Sequence, residues 1–367
     1  MAGSGRPCLA GPPRLPPLAD RIAAVVVTYN RAALLLECLD ALAGQTHPLS
    51  AVVLVDCAST DGTRERVRES GVASRLPLTL VPLERNGGGA EGFHAGVRAA
   101  AGLEVDWLWL MDDDCEAPPG TLAGLLASAP AADPRTGAVL PELCSAEGAP
   151  LPLHRGHIRR RWFFAPLVAL SPAERASGRD VEVSMGTFVG PLVRAEAARA
   201  AGLPERRAFI RLEDVEYLTR VRRWGPLWLV PSVTMVHKEP AADAITAPTV
   251  RARLADFTTR RPFAQEWKRL YSLRNMIQFG RRGGYVSAGQ ALSYVGVHVL
   301  RSLLFSEHPL RTARLAALFG ADGWRGRFRN VPPERWPGLA DAPDPLGYLS
   351  AHALDYRSEV DSPVRRL

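Results

Sequence analysis

The stretch Asp106 to Glu116, DWLWLMDDDCE, joins an apolar aromatic run to three consecutive carboxylates. Trp107 to Met111 have the length and composition of a fully buried strand. Asp112, Asp113 and Asp114 then stand where that strand leaves its sheet. Adjacent like charges repel, and a divalent cation is the simplest reason to hold three of them there. Extended backbone turns successive side chains to opposite sides. Asp112 and Asp114 would therefore face one ion while Asp113 points elsewhere. Hard oxygen ligands suit Mg²⁺ or Mn²⁺, which commonly share their shell with substrate phosphates. The plain alternative is a solvated acidic turn, or an N-cap for a helix starting near Pro118.

Upstream, the chain repeats one pattern. IAAVVVTYN (Ile22 to Asn30) is a β-branched run ending in a polar turn, and helical spacing follows at Leu34, Leu35, Cys38, Leu39 and Leu42. AVVLVDCAST (Ala51 to Thr60) reads as a second strand ending at Asp56, with Ser59, Thr60 and Asp61 as caps for a helix near Thr63 to Ser70. LTLVPLERN (Leu78 to Asn86) reads as a third strand, and GGGAEG (Gly87 to Gly92) opens a helix through about Ala101. With the acidic strand and a helix from about Gly120 to Ala127, this is β-α repeated four times. It predicts an α/β fold with a mostly parallel sheet and helices on both faces. Ligands in such sheets bind outside the carboxyl ends of the strands, where Asn30, Asp56, Asn86 and Asp112 all fall.

After Gly137 the pattern loosens. A strand is expected in GAVLPELC, a strand, turn and helix in Val181 to Gly202, and a helix ending at Gly225. Pro226 to Pro240 reads as a strand pair ending at His237. Residues 1–20 read as a flexible tail, 21–240 as the catalytic domain, 241–330 as a helical C-terminal region that starts with a mobile connection, and 331–367 as a Pro-rich tail that wraps the surface or is disordered. Glu266 to Arg282 is a helix. Tyr285 to Leu304 falls short of a membrane span because of Gln290, His298 and Arg301. It reads as a helix docked on the core, with an interfacial membrane helix as the alternative.

The 367 residues carry a formal charge of +7. Nearly all the basic residues are Arg, which suits bidentate contacts to phosphate and anionic surfaces; solubility alone is the plain account. No nucleic-acid-binding motif occurs among the basic stretches. Five cysteines without a CxxC indicate neither a disulfide framework nor a zinc site, and a reducing cytoplasmic setting fits. Cys115 reads as a packing residue.

Three further features carry chemistry. GGGAEG fits the dinucleotide-binding pattern G-x-G-x-x-G, with Asp112 twenty positions beyond Gly92. An NAD-dependent oxidoreductase is therefore the competing reading. Against it, two β-α units precede the turn, the first strand ends in TYNR without glycines, and a ribose needs one carboxylate, not three. Glu213-Asp214 opens a helix, where carboxylates favour the dipole; beside the Asp cluster, Asp214 becomes a candidate general base. His237 ends a strand, and imidazole can complete a carboxylate-bound metal shell.

VVVTYNR, VDCASTDGT, RNGGGAEGFHAG, WLWLMDDDCEAP, FIRLEDVEY and VHK occur in the order seen in family 2 glycosyltransferases of the GT-A fold, which residues 21–280 resemble. The NxGGAxGF turn and DDD in place of DxD are similar to bacterial galactofuranosyl- and rhamnosyltransferase-like members. The resemblance implies that Thr28, Asn30 and Asp56 surround the nucleotide. Arg85 and Asn86, with Gly88 and Gly89, would face the nucleotide sugar, and Asp113 the donor sugar or ribose. Asp112, Asp114 and His237 would hold the metal, Asp214 would be the base, and Glu213 would touch the acceptor. Trp162 and Phe163 would form an acceptor wall. Cys57 departs from the family, where Asn is commoner.

The same resemblance implies an inverting, metal-dependent transfer from UDP-galactofuranose or dTDP-rhamnose to a glycan or polyprenyl-linked glycan in cell-envelope polysaccharide synthesis. Arg159 to Arg161 and Arg281 to Arg282 would meet the inner face of an anionic membrane. A homo-oligomer is compatible with the sequence. A third reading is a non-enzymatic membrane or polyanion adaptor built on the Arg-rich helices.

Overall fold

The computed structural model describes residues 20–159, 166–238, 257–356 and 365–366. The expected N-terminal tail up to residue 19, the connection as far as residue 256, Arg160, Arg161, Trp162 and Phe163 lie outside these residues.

The first half follows the β-α pattern: β1 (Ile22–Thr28), α1 (Ala32–Ala43), β2 (Ala51–Asp56), α2 (Thr63–Glu69), β3 (Leu78–Pro82), α3 (Gly88–Ala101) and β4 (Trp107–Asp112). β1 pairs in parallel with β2 on one side and β4 on the other, and β2 with β3. The order is thus β3-β2-β1-β4, and the chain changes direction across the sheet at β1. The register sets Thr28 level with Asp56, and Val27 level with Asp112. A crevice outside the carboxyl ends at such a switch point is where open α/β sheets take ligands. β3 stops at Pro82, so Asn86 sits in the loop beyond it rather than on the strand.

Alternate side chains of these strands feed two cores, as the pleat requires. Val26, Leu54, Trp109 and Met111 meet Leu35, Cys38 and Leu39 of α1 on one face. Val25, Val55, Leu108 and Leu110 meet Phe93 and Val97 of α3 on the other. Gly92 and Gly96 let α3 settle onto the sheet, because a Cβ there would lie 2.4 Å from Val27 and from Val25. The α2 cap differs from expectation. Gly62 occupies the cap position without a side-chain bond, and Asp61 accepts from the Thr63 amide at 3.1 Å.

The second half is mixed. After β5 (Cys115–Glu116) and α4 (Thr121–Leu126) come β6 (Ala138–Cys144), β7 (Arg155–Ile158), β8 (Leu167–Ala169), β9 (Val181–Val183), β10 (Met185–Gly186), β11 (Leu192–Arg194), α5 (Ala195–Ala201), α6 (Glu213–Trp224) and β12 (Leu227–His237). β11 runs antiparallel between β4 and β6, and β12 runs parallel to β6. The expected strand pair at Pro226 to Pro240 is one strand, β12, bent by a register shift between Val230 and Thr234. Pro231 interrupts the ladder there without ending the strand.

The helices α7 (Glu266–Arg282), α8 (Ala288–Phe305) and α9 (Pro309–Arg325) surround a third core with Leu270, Tyr271, Phe319 and Trp336. The segment from 331 to 356 is not the loose wrap that its prolines suggested. It forms short helices at Trp336–Asp341 and Pro345–Ala351, with Trp336, Leu339 and Leu349 fully buried. Prolines at the first turn of a helix are compatible with it.

Candidate active site

The triple Asp sits at the carboxyl end of β4, as its apolar lead-in dictates. The separation of Asp112 from Asp113, however, does not arise by alternation along a strand. β4 ends at Asp112, and Asp113 and Asp114 form a turn into β5. β5 pairs antiparallel with the end of β12, setting His237 opposite Cys115. The Lys238 amide donates to the Asp114 carbonyl at 2.9 Å and closes the junction. Asp112, Asp114 and His237 thereby each offer a ligand atom, and these atoms lie within 4.8 Å of one another. Asp114 and His237 are buried, with His237 Nε2 3.1 Å from Asp114 Oδ1. Apart from that imidazole, no donor among the described residues meets this carboxylate oxygen. Two carboxylates and an imidazole whose ligand atoms converge in a buried pocket of charge fit a divalent cation.

Asp113 turns away into the sheet. It accepts from the Thr28 hydroxyl at 2.7 Å, and Arg31 reaches both Asp113 (3.4 Å) and Asp114 (2.8 Å). Burial pushes the Asp113 carboxyl up to about 6, against the lowering effect of Thr28 and Arg31. Asp112 is held well above the usual carboxylate range by burial first, then by the charges of Asp114, Asp113, Glu213 and Asp214. The two acidic clusters therefore share one electrostatic site, although they lie about a hundred residues apart. His154, which the sequence did not single out, meets His237 edge-on at 5.1 Å and bonds Thr187 at 2.9 Å. Burial keeps its imidazole neutral, down to about 3, with the neighbouring His237 adding to the shift.

Glu213 and Asp214 open α6. Burial raises both carboxyls, and the adjoining Asp214 charge raises Glu213 further. The Val215 amide, at 2.7 Å, works against the shift at Asp214. The loop leading to them is held in an unusual shape: Phe209, Arg211 and Leu212 all have φ between 66° and 75°. Left-handed backbone at non-glycine residues costs on the order of 1–3 kcal/mol each and persists only where surroundings impose it.

Two surfaces impose it here. Asn275 of α7, fully buried, donates its amide hydrogens to the carbonyls of Ala208 (3.1 Å), Ile210 (3.0 Å) and Arg211 (2.8 Å). Arg274 adds a bond to Ala208 at 2.9 Å and holds Asn330 at 2.6 Å. From the other side the Ala90 amide reaches the Phe209 carbonyl at 3.1 Å. Gly88, at φ 78°, allows that approach, since a Cβ there would stand 2.0 Å from the same oxygen.

The glycine turn thus grips the loop before α6 and opens α3. The Gly88 amide is taken by Asn86 Oδ1 at 2.9 Å, and Gly89 faces Glu213, whose Oε1 would be 3.6 Å from a Cβ. Arg85 pairs with buried Glu91 at 3.2 Å. At the other end of the crevice Asn30 links β1 to β2, its amide bonding Ser59 (2.9 Å) and its side chain accepting from Thr60 (2.7 Å). Asp56, fully buried, accepts from the Ser59 amide at 2.9 Å and pairs with Arg64. Cys57 stands buried behind this end, its thiol pushed up by burial. Cys115 packs in the core, and Cys38, Cys57, Cys115 and Cys144 are all free thiols.

Sequence reasoning missed Arg31, His154, Arg155, Arg274 and Asn275. Arg155, fully buried, bonds the carbonyls of Pro141 (3.2 Å) and Val189 (2.6 Å) and supports the floor beside His154. The RN pair in the helix Glu266 to Arg282 was the available signal. Two strongly polar residues stand there among Tyr271, Leu273, Met276 and Ile277, on a face that helical spacing buries.

The chain is similar to proteins already known. The family model Glycosyl transferase family 2 covers residues 23–171. The galactofuranosyltransferase GlfT1 of Mycolicibacterium smegmatis is 31% identical over 257 residues, which span 69% of this chain and 81% of that protein. The GlfT1 of Mycobacterium tuberculosis is 33% identical over 214 residues, 57% of this chain and 66% of the relative. Among solved structures, GalNAc-T7 with UDP, GalNAc and Mn²⁺ superposes with a TM-score of 0.50 at 16% identity, covering 74% of this chain and 56% of that one. That last likeness is one of fold. The chain belongs to glycosyltransferase family 2, has the GT-A fold, and is a glycosyltransferase near the galactofuranosyltransferases. The oxidoreductase and adaptor readings are thereby set aside. The G-x-G-x-x-G match follows the third strand, and its glycines serve the packing of α3 and the loop before α6.

Proposed function

We propose that this enzyme transfers galactofuranose from UDP-galactofuranose to a polyprenyl-linked glycan, with inversion, in cell-envelope polysaccharide synthesis. The observation that carries the reading is the meeting of two acidic clusters at the end of β1 and β4, in a chain related over most of its length to named galactofuranosyltransferases. In the transfer, Asp214 takes the proton of the acceptor hydroxyl. The acceptor oxygen forms its bond to the anomeric carbon as the bond from that carbon to the diphosphate oxygen breaks. The nucleoside diphosphate leaves with the electron pair on the opposite face. Glu213 adjoins the base and contacts the acceptor. Asp112, Asp114 and His237 would hold Mn²⁺ or Mg²⁺, which would supply positive charge to the leaving diphosphate.

Thr28, Asn30 and Asp56 line the nucleotide end. Arg85, Asn86, Gly88, Gly89 and Asp113 line the sugar end. Trp162 and Phe163 belong to the proposed acceptor wall, in the segment outside the described residues.

The test offers UDP-galactofuranose and dTDP-rhamnose in parallel, each with a polyprenyl diphosphate-linked glycan and with Mn²⁺ present or chelated. Metal-dependent release of UDP, with a β-galactofuranosyl product by NMR, is the expected result. Turnover of dTDP-rhamnose alone would move the donor to the second candidate. Turnover unaffected by chelation would remove the metal from the reading.

A further inference from the structure

The helix α8 turns an entirely apolar face outward. Its exposed positions are Ala288, Gly289, Leu292, Gly296, Val297, Leu300, Leu303 and Leu304, without one charged or hydrogen-bonding side chain. Its buried side carries Gln290, Arg301 and Ser302. Arg301 is ion-paired there with the equally buried Glu266 at 3.2 Å and bonds the Thr259 carbonyl at 2.7 Å. A surface helix ordinarily turns its apolar stripe to the core. Here the core side combines that ion pair with Ala291, Tyr294, Val295 and Val299, and leucines up to 74% exposed still face outward.

The neighbouring helix extends the patch. Leu310 is 69% exposed at the start of α9 and Trp324 is 44% exposed at its end. Leu292 and Trp324 line one apolar groove of about 280 Å³ between α8 and α9. Scattered exposed leucines need no explanation, but a contiguous run on two adjacent helices does.

The charges around the patch identify what covers it. From residue 281 to 327 the exposed charged groups are Arg281, Arg282, Arg314, Arg325 and Arg327, against Glu307 alone. Glu307 is itself occupied by the Phe263 amide at 2.6 Å. Arg281 lies 3.5 Å over the ring of Trp324, an aromatic and cation pair of the kind that settles at a lipid headgroup layer. No helix of the described residues is long and apolar enough to cross a membrane. A second copy of the chain would set like-charged rims against each other, whereas an anionic bilayer complements them.

We propose that the outer faces of α8 and α9 form a docking surface for an anionic lipid bilayer, with Leu292, Val297, Leu300, Leu303 and Leu304 entering the interface and the arginines meeting the headgroups. The surface connects to the site through α7. One face of that helix holds the loop before Glu213, and Gly323 of α9 packs against the backbone of Arg274, where a Cβ would lie 2.5 Å from the Arg274 carbonyl. Docking therefore places the acidic site one helix layer from the bilayer. The surface stands on its own observations and does not need the transferase chemistry.

The experiment floats the full chain with vesicles of phosphatidylcholine alone or mixed with phosphatidylglycerol, and measures UDP binding with Mn²⁺ separately. Wild type should partition at least about tenfold better onto the anionic vesicles, with the gain lost at high salt. L292S/L300S/L304S should lose most of that partitioning while keeping its melting temperature and UDP binding. R314E/R325E should lose the preference for anionic lipid. Equal partitioning of wild type and the triple-serine variant would overturn the proposal. So would a light-scattering dimer that the triple substitution dissociates, which would assign the face to a second copy. Vesicle binding gained only after removal of residues 1–19 would assign it to the chain's own N-terminal segment. Failure to bind UDP, with vesicle binding intact, would count against the function of the site and leave the surface standing.

Discussion

The two acidic clusters of the site are held in opposite ways. Asp112 to Asp114 ride on a strand buried at every position from Trp107 to Met111 and fixed on both sides by sheet register. Glu213 and Asp214 hang from a loop with three left-handed residues, clamped by a helix more than sixty residues further along the chain. The end of an interior strand positions a carboxylate through many backbone bonds, none of which is decisive. The clamped loop depends on a few side-chain contacts, so single substitutions should disturb it far more selectively.

The largest effect should come from the end product of the clamp. Asp214→Asn keeps the size of the side chain and removes the base. It should lower kcat by ~10²–10⁴-fold, with metal-dependent UDP binding by calorimetry unchanged. Retained turnover would take the base role away from Asp214.

Next come the strand-end ligands. Asp114→Ala or His237→Ala should weaken Mn²⁺-dependent UDP binding by at least the ~10–100-fold that accompanies loss even of an outer partner of a metal. Melting temperature should change little in the His237 variant, because β5 and β12 are paired through backbone. Undiminished metal-dependent binding in both variants would dissolve the proposed ligand set.

The clamp itself should respond less, and in a diagnostic pattern. Asn275→Ala removes a donor from the Ile210 and Arg211 carbonyls, while Ala208 keeps Arg274, and should cost about 1–3 kcal/mol in unfolding free energy. Its kcat should fall by roughly tenfold with little change in KM for the donor, as expected when a base is misplaced. Gly88→Ala, which drives a methyl against the Phe209 carbonyl, should mimic it. If Asn275→Ala lowered stability alone, with kcat intact, the clamp would be structural only.

The smallest effect concerns pH. Burial raises Asp214, and burial together with the adjoining Asp214 charge raises Glu213 further. A base must be ionised to accept a proton, so falling pH removes activity as the pair gains protons. The acid limb of kcat/KM should therefore lie above the ordinary carboxylate range of about 4, and Glu213→Gln should leave it in place, because Glu213 is raised further than Asp214 and is protonated where Asp214 titrates. A limb shifted downward in that variant would instead make the Glu213 charge a cause of the raised base.

The first half of the fold was legible because its signals are local. β-branched runs, helical spacing and the polar residues after each strand located β1 to β4 and set Asn30, Asp56, Asn86 and Asp112 at or beyond the strand ends, while Thr28 came only with the family resemblance. The cap of α2 was misassigned, since Ser, Thr and Asp side chains compete with a left-handed glycine for the same turn. The strand pair read into Pro226 to Pro240 was one strand, because a proline at a bulge is indistinguishable in sequence from a proline in a turn. The prolines after Asn330 suggested a loose tail, yet burial of Trp336 and Leu349 against α7 and α9 overrode that local preference.

By itself the sequence determined the parallel β-α half, the acidic strand end and the order of motifs that marks the family. These rest on periodicity and on side chains adjacent along the chain. Only the tertiary structure decided that His237 meets Asp114, through antiparallel pairing of β5 with β12. It alone decided that Asn275 and Gly88 close on the loop before Glu213, and that α8 turns its leucines outward. Each of these depends on a contact between residues far apart in the chain. Sequence pattern shows which residues prefer burial, but the partner that buries them is set by how the elements pack.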